Sequence, residues 1–162
     1  MHHGRRFRAG ILAALCYGSV AMTGSRVAAD STCKPVHGKF TIQIVTGPDC
    51  LSSAGLCGIG TYKGGIAGPS TFTATSIVPT VDTPLTAVIA ITGDATIETR
   101  DGSLLTQDAF MLHTTGNGEF AELDTIVGGT GAWAGASGVL QAVGTSTPTS
   151  VEGQYFGEIC TP

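Results

Sequence analysis

The chain has 162 residues, of which 42% are hydrophobic and 12% are charged, and its formal net charge is −4 at pH 7. This length corresponds to about one domain. Because charges are few and mostly acidic, the composition excludes electrostatic attraction to nucleic acid or to anionic lipid.

The N-terminal part of the chain has the pattern of a secretory signal peptide. Arginines near the start precede an apolar run from residue 9 to about residue 22, and Val27-Ala28-Ala29 offers small residues for cleavage. The run is shorter than the roughly 20 residues that a membrane-spanning helix needs. We therefore predict a signal peptide over residues 1–29, one domain over residues 30–162, a secreted or periplasmic location, and no membrane association after cleavage. In that domain four basic residues face all twelve acidic residues, which gives a formal charge of −8.

The predicted domain contains an even number of cysteines, which in an exported protein indicates two disulfides. The four are Cys33, Cys50, Cys57 and Cys160. Zinc binding is the competing interpretation, but there is no C-x-x-C pair and the histidines lack ligand spacing, so we predict no metal. We expect Cys50 to pair with Cys57 across a short loop, and Cys33 with Cys160 to connect the two ends of the domain.

Segments in which apolar and polar residues alternate are separated by turn residues, and this pattern predicts a series of β-strands. In order, the segments are GKFTIQIVTG, STFTATSIVP, LTAVIAITGDATIETRDG, SLLTQDAFMLHTT, EFAELDTIV, SGVLQAVGTST and VEGQYFGEIC. Gly93 is a predicted bulge, and Asp101-Gly102 a predicted turn. Seven or eight short strands indicate an antiparallel sandwich or a closed barrel.

A glycine-rich segment after the fifth of these segments has two interpretations. Residues 129–134, GTGAWA, fit the G-x-G-x-x-G/A fingerprint of dinucleotide-binding loops, which requires a helix within a parallel βαβ unit. Gly135, Gly138 and Gly144 would each cost about 1 kcal/mol in such a helix relative to alanine. We therefore predict a connection between two strands over Gly128 to Gly138, and no cofactor.

The same segment carries a family resemblance. VGGTGAWAGASGVLQAVGT, followed by GQYFGEIC, resembles the allene oxide cyclase and dirigent barrel superfamily, and most closely its small exported bacterial members. The pieces that match are Gly102 to Asp108, Gly118 to Glu122, Gly128 to Gly138 and Gly153 to Cys160. The resemblance implies an all-β, eight-stranded, antiparallel closed barrel whose interior holds one small apolar ligand. It also makes a homodimer or a homotrimer plausible.

One departure from the plant dirigent pattern concerns the pocket. Plant dirigent proteins usually place an arginine directly after the aromatic residue of this loop and often another before its last glycine. Those positions are Ala134 and Ser137 here. The basic component of that pocket is therefore absent, and the family's chemistry does not transfer directly to this chain.

Two carboxylates are the candidate catalytic residues. Asp108 alternates with apolar residues on one strand, and Glu122 shares a face with Phe120 and Asp124 on the next. If both faces point inward, burial raises the pKa of Asp108 and Glu122 and suits them to proton transfer. The alternative is that the two carboxylates accept hydrogen bonds from backbone groups in turns or face solvent. The candidate ligand-binding residues are Phe110, Phe120, Trp133 and Tyr155.

Three classes of function are compatible with these features. The first is an exported barrel that binds a small hydrophobic or aromatic molecule and guides its reaction. The second is a cofactor-free isomerase or cyclase resembling allene oxide cyclase, which a carboxyl-bearing interior would favour. The third is a structural surface protein with a filled barrel, against which a cavity would argue.

Overall fold

The computed structural model describes residues 31–84, 87–115 and 117–162, so the predicted signal peptide lies outside the described residues. Eight strands make up most of this part of the chain. They are β1 (Thr32–Val45), β2 (Cys57–Gly64), β3 (Gly68–Asp82), β4 (Ala87–Thr99), β5 (Gly102–His113), β6 (Glu119–Gly129), β7 (Ser137–Ser146) and β8 (Ser150–Thr161). Across the three described ranges, no helix is long and apolar enough to cross a membrane.

The strands form one closed antiparallel barrel. Each strand pairs with the next along the chain, and β8 pairs with β1 to complete the ring. Cys33 lies opposite Cys160 in the β1–β8 register and forms a disulfide with it, while Cys50 and Cys57 form the second. The predicted fold class and both disulfide pairings are confirmed.

One end of the barrel, which we call the closed end, is filled by side chains. Ile66, in the connection from β2 to β3, is only 1% exposed and packs in the core cluster with Leu104 and Ile97. The hydroxyl of Tyr155 fixes this connection: it accepts a hydrogen bond from the Ile66 N–H at 2.7 Å and donates to the Ile66 carbonyl oxygen at 2.9 Å. These contacts hold the β2–β3 connection across this end of the barrel.

The predicted bulge at Gly93 is wrong in its position. The register shift lies on the neighbouring strand, between Ala74 and Ser76 of β3, while Gly93 pairs regularly with Asp108 of β5. Gly93 instead leaves space for the ring of Phe72 inside the barrel, because a Cβ at position 93 would overlap that ring. The predicted turn at Asp101-Gly102 is confirmed, with Gly102 at φ 135° beginning β5.

The glycine-rich segment is a connection, as predicted. It joins β6 to β7 through a single 3-10 turn at Gly131–Trp133, and Gly131 has φ 59°. The indole N–H of Trp133 donates to the hydroxyl of Thr99 at 2.8 Å, which ties the connection to the end of β4. No helix follows Gly131 to face a pyrophosphate, because β7 begins at Ser137.

Candidate functional site

Three carboxyl groups meet inside the barrel, and we call them the acidic cluster: Asp108, Glu122 and Asp124. Asp108 on β5 lies directly opposite Asp124 on β6, and Glu122 lies two residues before Asp124 on the same inward face. One carboxylate oxygen from each residue lies within 4.8 Å of the other two. Asp108 is 6% exposed and Asp124 is 2% exposed, so the cluster is shielded from solvent.

Several polar atoms at this site have unused hydrogen-bonding capacity. Within the described chain, Asp108 Oδ1, Asp124 Oδ1 and Ser70 Oγ are buried without a hydrogen-bond partner. Ser70 lines the same cavity as Asp108 and Glu122, and the described residues that line it include no lysine, arginine or histidine. Because burying an unpaired charge is costly, this environment favours the protonated carboxyl groups.

The pKa values follow from this environment. Burial raises the pKa of Asp108 to about 7 and that of Glu122 to about 8. For Asp124, burial and then the charges of Glu122 and Asp108 raise the pKa to about 10. A hydrogen bond between Glu122 and Asp124 raises the pKa of Asp124 and lowers that of Glu122, so the most firmly held proton lies on Asp124. The cluster therefore retains protons at neutral pH.

A cavity of about 70 Å³ adjoins Asp108 and Glu122. This volume is well above the roughly 10–15 Å³ that one water molecule needs. Five rings line it, and we call them the aromatic wall: Phe40, Tyr62, Phe72, Phe110 and Phe120. Neighbouring rings are in contact, with centroids 5.3 Å apart for Phe40 and Tyr62 and 6.2 Å apart for Phe110 and Phe120. The cavity thus combines apolar walls with an acidic patch.

A second cavity of about 200 Å³ shares part of its lining with the first and lies towards the end of the barrel opposite the closed end, which we call the mouth. It is lined almost wholly by apolar side chains, among them Ile44 near the end of β1 and Ile89 near the start of β4. The residues that line both cavities are Ile42, Phe72, Phe110, Leu112, Ser146 and Val151. A molecule entering at the mouth therefore meets apolar surface first and carboxyl groups last.

Four of the six site residues suggested by the sequence come together in this cavity: Asp108, Glu122, Phe110 and Phe120. Trp133 and Tyr155 do not line it. Trp133 lies in the β6–β7 connection at the closed end, and the Tyr155 hydroxyl bonds the β2–β3 connection there. Both aromatic residues support the closed end of the barrel, where their polar atoms find partners in connecting segments.

Five residues of the acidic cluster, the aromatic wall and the adjoining polar surface were not among the sequence candidates: Phe40, Tyr62, Ser70, Phe72 and Asp124. The alternation that placed Glu122 on an inward face already included Asp124, so that signal was present. Tyr62 follows Gly58 and Gly60 on the inward face of β2, where a Cβ at either glycine would overlap Ile42. Ser70 alternates with Phe72 on β3. A serine in such a position gives no distinctive sequence signal.

The chain shows distant similarity to solved dirigent protein structures. No family model and no curated protein matches the chain. Among solved structures, it is similar to the pterocarpan synthase dirigent protein GePTS1, with 14% identity over 83% of this chain and 88% of that chain and a TM-score of 0.37. The pterocarpan synthase dirigent protein PsPTS1 shows 20% identity over 79% of this chain and 94% of that chain, with a TM-score of 0.28. Similarity at this level carries no argument about function, so the fold assignment rests on the strand pairing.

Proposed function

We propose that this barrel binds one small apolar or aromatic molecule in its interior and guides that molecule's reaction. The observation that carries the proposal is a cavity with an aromatic wall and a mouth, in which the carboxyl group of Asp108 has an oxygen without a partner. Apolar walls with a few convergent polar groups are the usual composition of a small-molecule site. A purely structural barrel has no need for buried, unpartnered carboxyl groups, which are costly.

Proton transfer to or from the bound molecule is a second candidate function, that of a cofactor-free isomerase or cyclase. It is favoured by the raised pKa values of Asp108, about 7, and Glu122, about 8. Groups that titrate near neutral pH exchange protons most effectively there. A suitable test is deuterium exchange of the acidic carbon-bound protons of β-tetralone, followed by proton NMR in deuterium oxide. Exchange faster than in buffer that disappears in Glu122→Gln supports this candidate, and exchange at the buffer rate contradicts it.

Binding is tested by filling the cavity. Ala95 lines it, whereas Ala109 on β5 points to the exposed outer face. We expect β-naphthol to bind the wild-type protein and Ala109→Leu equally, and Ala95→Leu at least about tenfold more weakly, because the larger side chain occupies cavity volume. Isothermal titration calorimetry measures all three. Equal affinity for both variants, or no binding to any of the three proteins, would contradict the proposal.

We also propose that the protein works outside the cytoplasm and belongs among the exported barrels that its sequence resembles. The two disulfides support this, since such bonds persist in oxidising compartments. Expression in the source cell with fractionation, followed by intact mass, tests export and cleavage together. A product retained in the cytoplasm with residues 1–29 attached would contradict it.

A further inference from the structure

The acidic cluster and the aromatic wall form a single chemical environment. Ring contacts run from Phe72 to Phe110, from Phe110 to Phe120 and from Phe120 to Phe40, with centroid distances of 5.9, 6.2 and 6.1 Å. The face of an aromatic ring attracts a cation, most strongly when the cation has lost its water. Carboxylates attract the same ligand, so the two kinds of surface in this cavity favour one type of group.

The buried atoms without hydrogen-bond partners indicate which hydrogen-bonding groups the ligand must carry. Asp108 Oδ1 accepts hydrogen bonds in either protonation state of the residue, and Ser70 Oγ both donates and accepts. The two side chains line the same cavity and are 6% and 3% exposed, and these two oxygen atoms lack partners among the residues that the structure describes. A ligand with several N–H donors would satisfy them.

The negative charge that the cluster acquires when it ionises has no positive counterpart among the described residues around it. The titratable groups that act on it from other strands are Tyr62 on β2 and Asp94 on β4, and Tyr155 on β8 interacts with Tyr62. None of these three side chains can carry a positive charge. The cavity-lining residues of β1 and β3 are uncharged, as are Leu140 and Ala142, which face inward on β7. When the cluster ionises, none of the described residues around it supplies a balancing positive charge, and a cationic ligand would do so.

We propose that the ligand of this cavity is an organic ammonium ion: a protonated primary or secondary amine carried on an apolar or aromatic body. The ammonium group contacts Asp108 and Glu122, and the body lies against Phe72 and Phe110 towards the mouth. The inner cavity of about 70 Å³ accommodates the ammonium group, and the outer cavity of about 200 Å³ accommodates the body. This inference rests on the proposed function, because it concerns the same cavity.

Binding of such a cation is coupled to release of a proton. At neutral pH the cluster holds protons, since the pKa values of Asp108 and Glu122 are about 7 and about 8. The ammonium ion replaces one of these protons, which passes to the buffer, while the amine keeps its own. Below the cluster's pKa values, each unit of pH therefore raises the association constant by up to about tenfold, until the amine itself begins to lose its proton.

The test compares benzylamine with benzyl alcohol, which has the same ring but no charge. Isothermal titration calorimetry at about pH 8 should show benzylamine binding at least about tenfold more tightly. This preference should shrink towards about pH 5, and near pH 7 the heats measured in phosphate and in Tris should differ because binding releases a proton to the buffer.

Two variants locate the interaction. Asp108→Asn keeps the shape of the side chain and removes its charge, so it should abolish most of the preference for benzylamine while leaving benzyl alcohol binding within about twofold. Glu152→Gln, which removes an exposed carboxylate from β8, should leave both affinities unchanged. Melting temperatures of the variants confirm that both are folded.

The possible outcomes distinguish a failure of the ammonium proposal from a failure of the proposed binding function. If benzyl alcohol and β-naphthol bind but benzylamine gains nothing, or its gain survives in Asp108→Asn, the cavity binds neutral molecules and the ammonium proposal is overturned. If none of the three binds, the proposed function fails as well. If calcium chloride binds and competes with benzylamine while Asp108→Asn abolishes calcium binding, the cluster is a metal site and the inference is overturned.

Discussion

Asp124 is a buried acid whose pKa, about 10, lies far above that of a carboxyl group in water. Asp108 and Glu122 share the direction of this shift. Unfolded carboxyl groups titrate near pH 4, so between about pH 4 and about pH 10 the folded protein binds more protons than the unfolded chain. Stability contributed by these groups is therefore complete in acid and is lost as the pH rises.

We expect Asp124→Asn to weaken this pH dependence. Asparagine has the shape of the protonated acid and cannot ionise. From about pH 5 to about pH 9 the free energy of unfolding should therefore decrease in both proteins, and the decrease should be smaller in the variant than in wild type by at least about 1.4 kcal/mol. Urea unfolding at the two pH values measures the difference. The exposed Glu152→Gln variant serves as control and should follow wild type. A wild-type protein that gains stability towards pH 9 would show that the cluster is ionised in the folded state.

Tyr155 provides a second prediction at this scale. Its hydroxyl accepts from the Ile66 N–H and donates to the Ile66 carbonyl oxygen, both within the barrel. Tyr155→Phe leaves these two backbone groups without a partner, and we expect a loss of roughly 1–3 kcal/mol in the free energy of unfolding. Amide hydrogen exchange at Ile66 should accelerate in the same variant. Unchanged exchange at Ile66 would mean that packing alone holds the connection.

The candidate site shows how far residue-level reasoning from the sequence extends. Alternation placed Asp108 and Glu122 on inward faces, and the structure brings both into the cavity. Alternation could not decide which aromatic residues surround them, because Trp133 and Tyr155 lie at the closed end. Their assignment depends on which end of a barrel is filled, and period-two patterns carry no information about that.

At the scale of elements, a bulge in β6 determines that the acids meet. The β5–β6 register shifts by one residue at Val127: Leu105 pairs with Gly128, but Thr106 pairs with Ile126. Without this extra residue Asp108 would lie opposite Thr125, which faces outward, and the inward pattern of β6 would be reversed relative to β5. The sequence predicted both strands but not this shift, because bulges depend on the partner strand.

The close fit of Gly93 against Phe72 gives a prediction for β4. A methyl group at Gly93 would overlap the Phe72 ring, so Gly93→Ala should destabilise the protein by about 1–3 kcal/mol. Adding Phe72→Leu provides the matched test, since the smaller side chain removes the overlap with the ring and leaves only the contact with the Thr73 carbonyl oxygen, 2.6 Å from the added Cβ. Thermal unfolding of the two single variants and the double variant should show that the costs are not additive. Additive costs would mean that the overlap is relieved elsewhere.

For the whole molecule, the two disulfides should differ in their contribution to stability. Cys33–Cys160 closes a loop with a sequence separation of 127, and Cys50–Cys57 one with a separation of 7. Loop-closure entropy predicts about 5 kcal/mol for the first and about 2 kcal/mol for the second. Urea unfolding of the two double Cys→Ser variants measures this order. Equal losses would show that pairing of β1 with β8 already restricts the unfolded chain.

Closure of β8 onto β1 also affects how the protein reaches its folded state. In the finished barrel every strand has two neighbours, so no backbone edge is free to recruit another chain. Until the last strand arrives, β1 and β7 each expose an unpaired edge, next to outer-face apolar side chains such as Ile59 on β2 and Val143 on β7. Pairings this distant in sequence form slowly. The final strand of the barrel therefore protects against aggregation, and the newly made chain is most prone to aggregate before β8 has paired with β1 and β7.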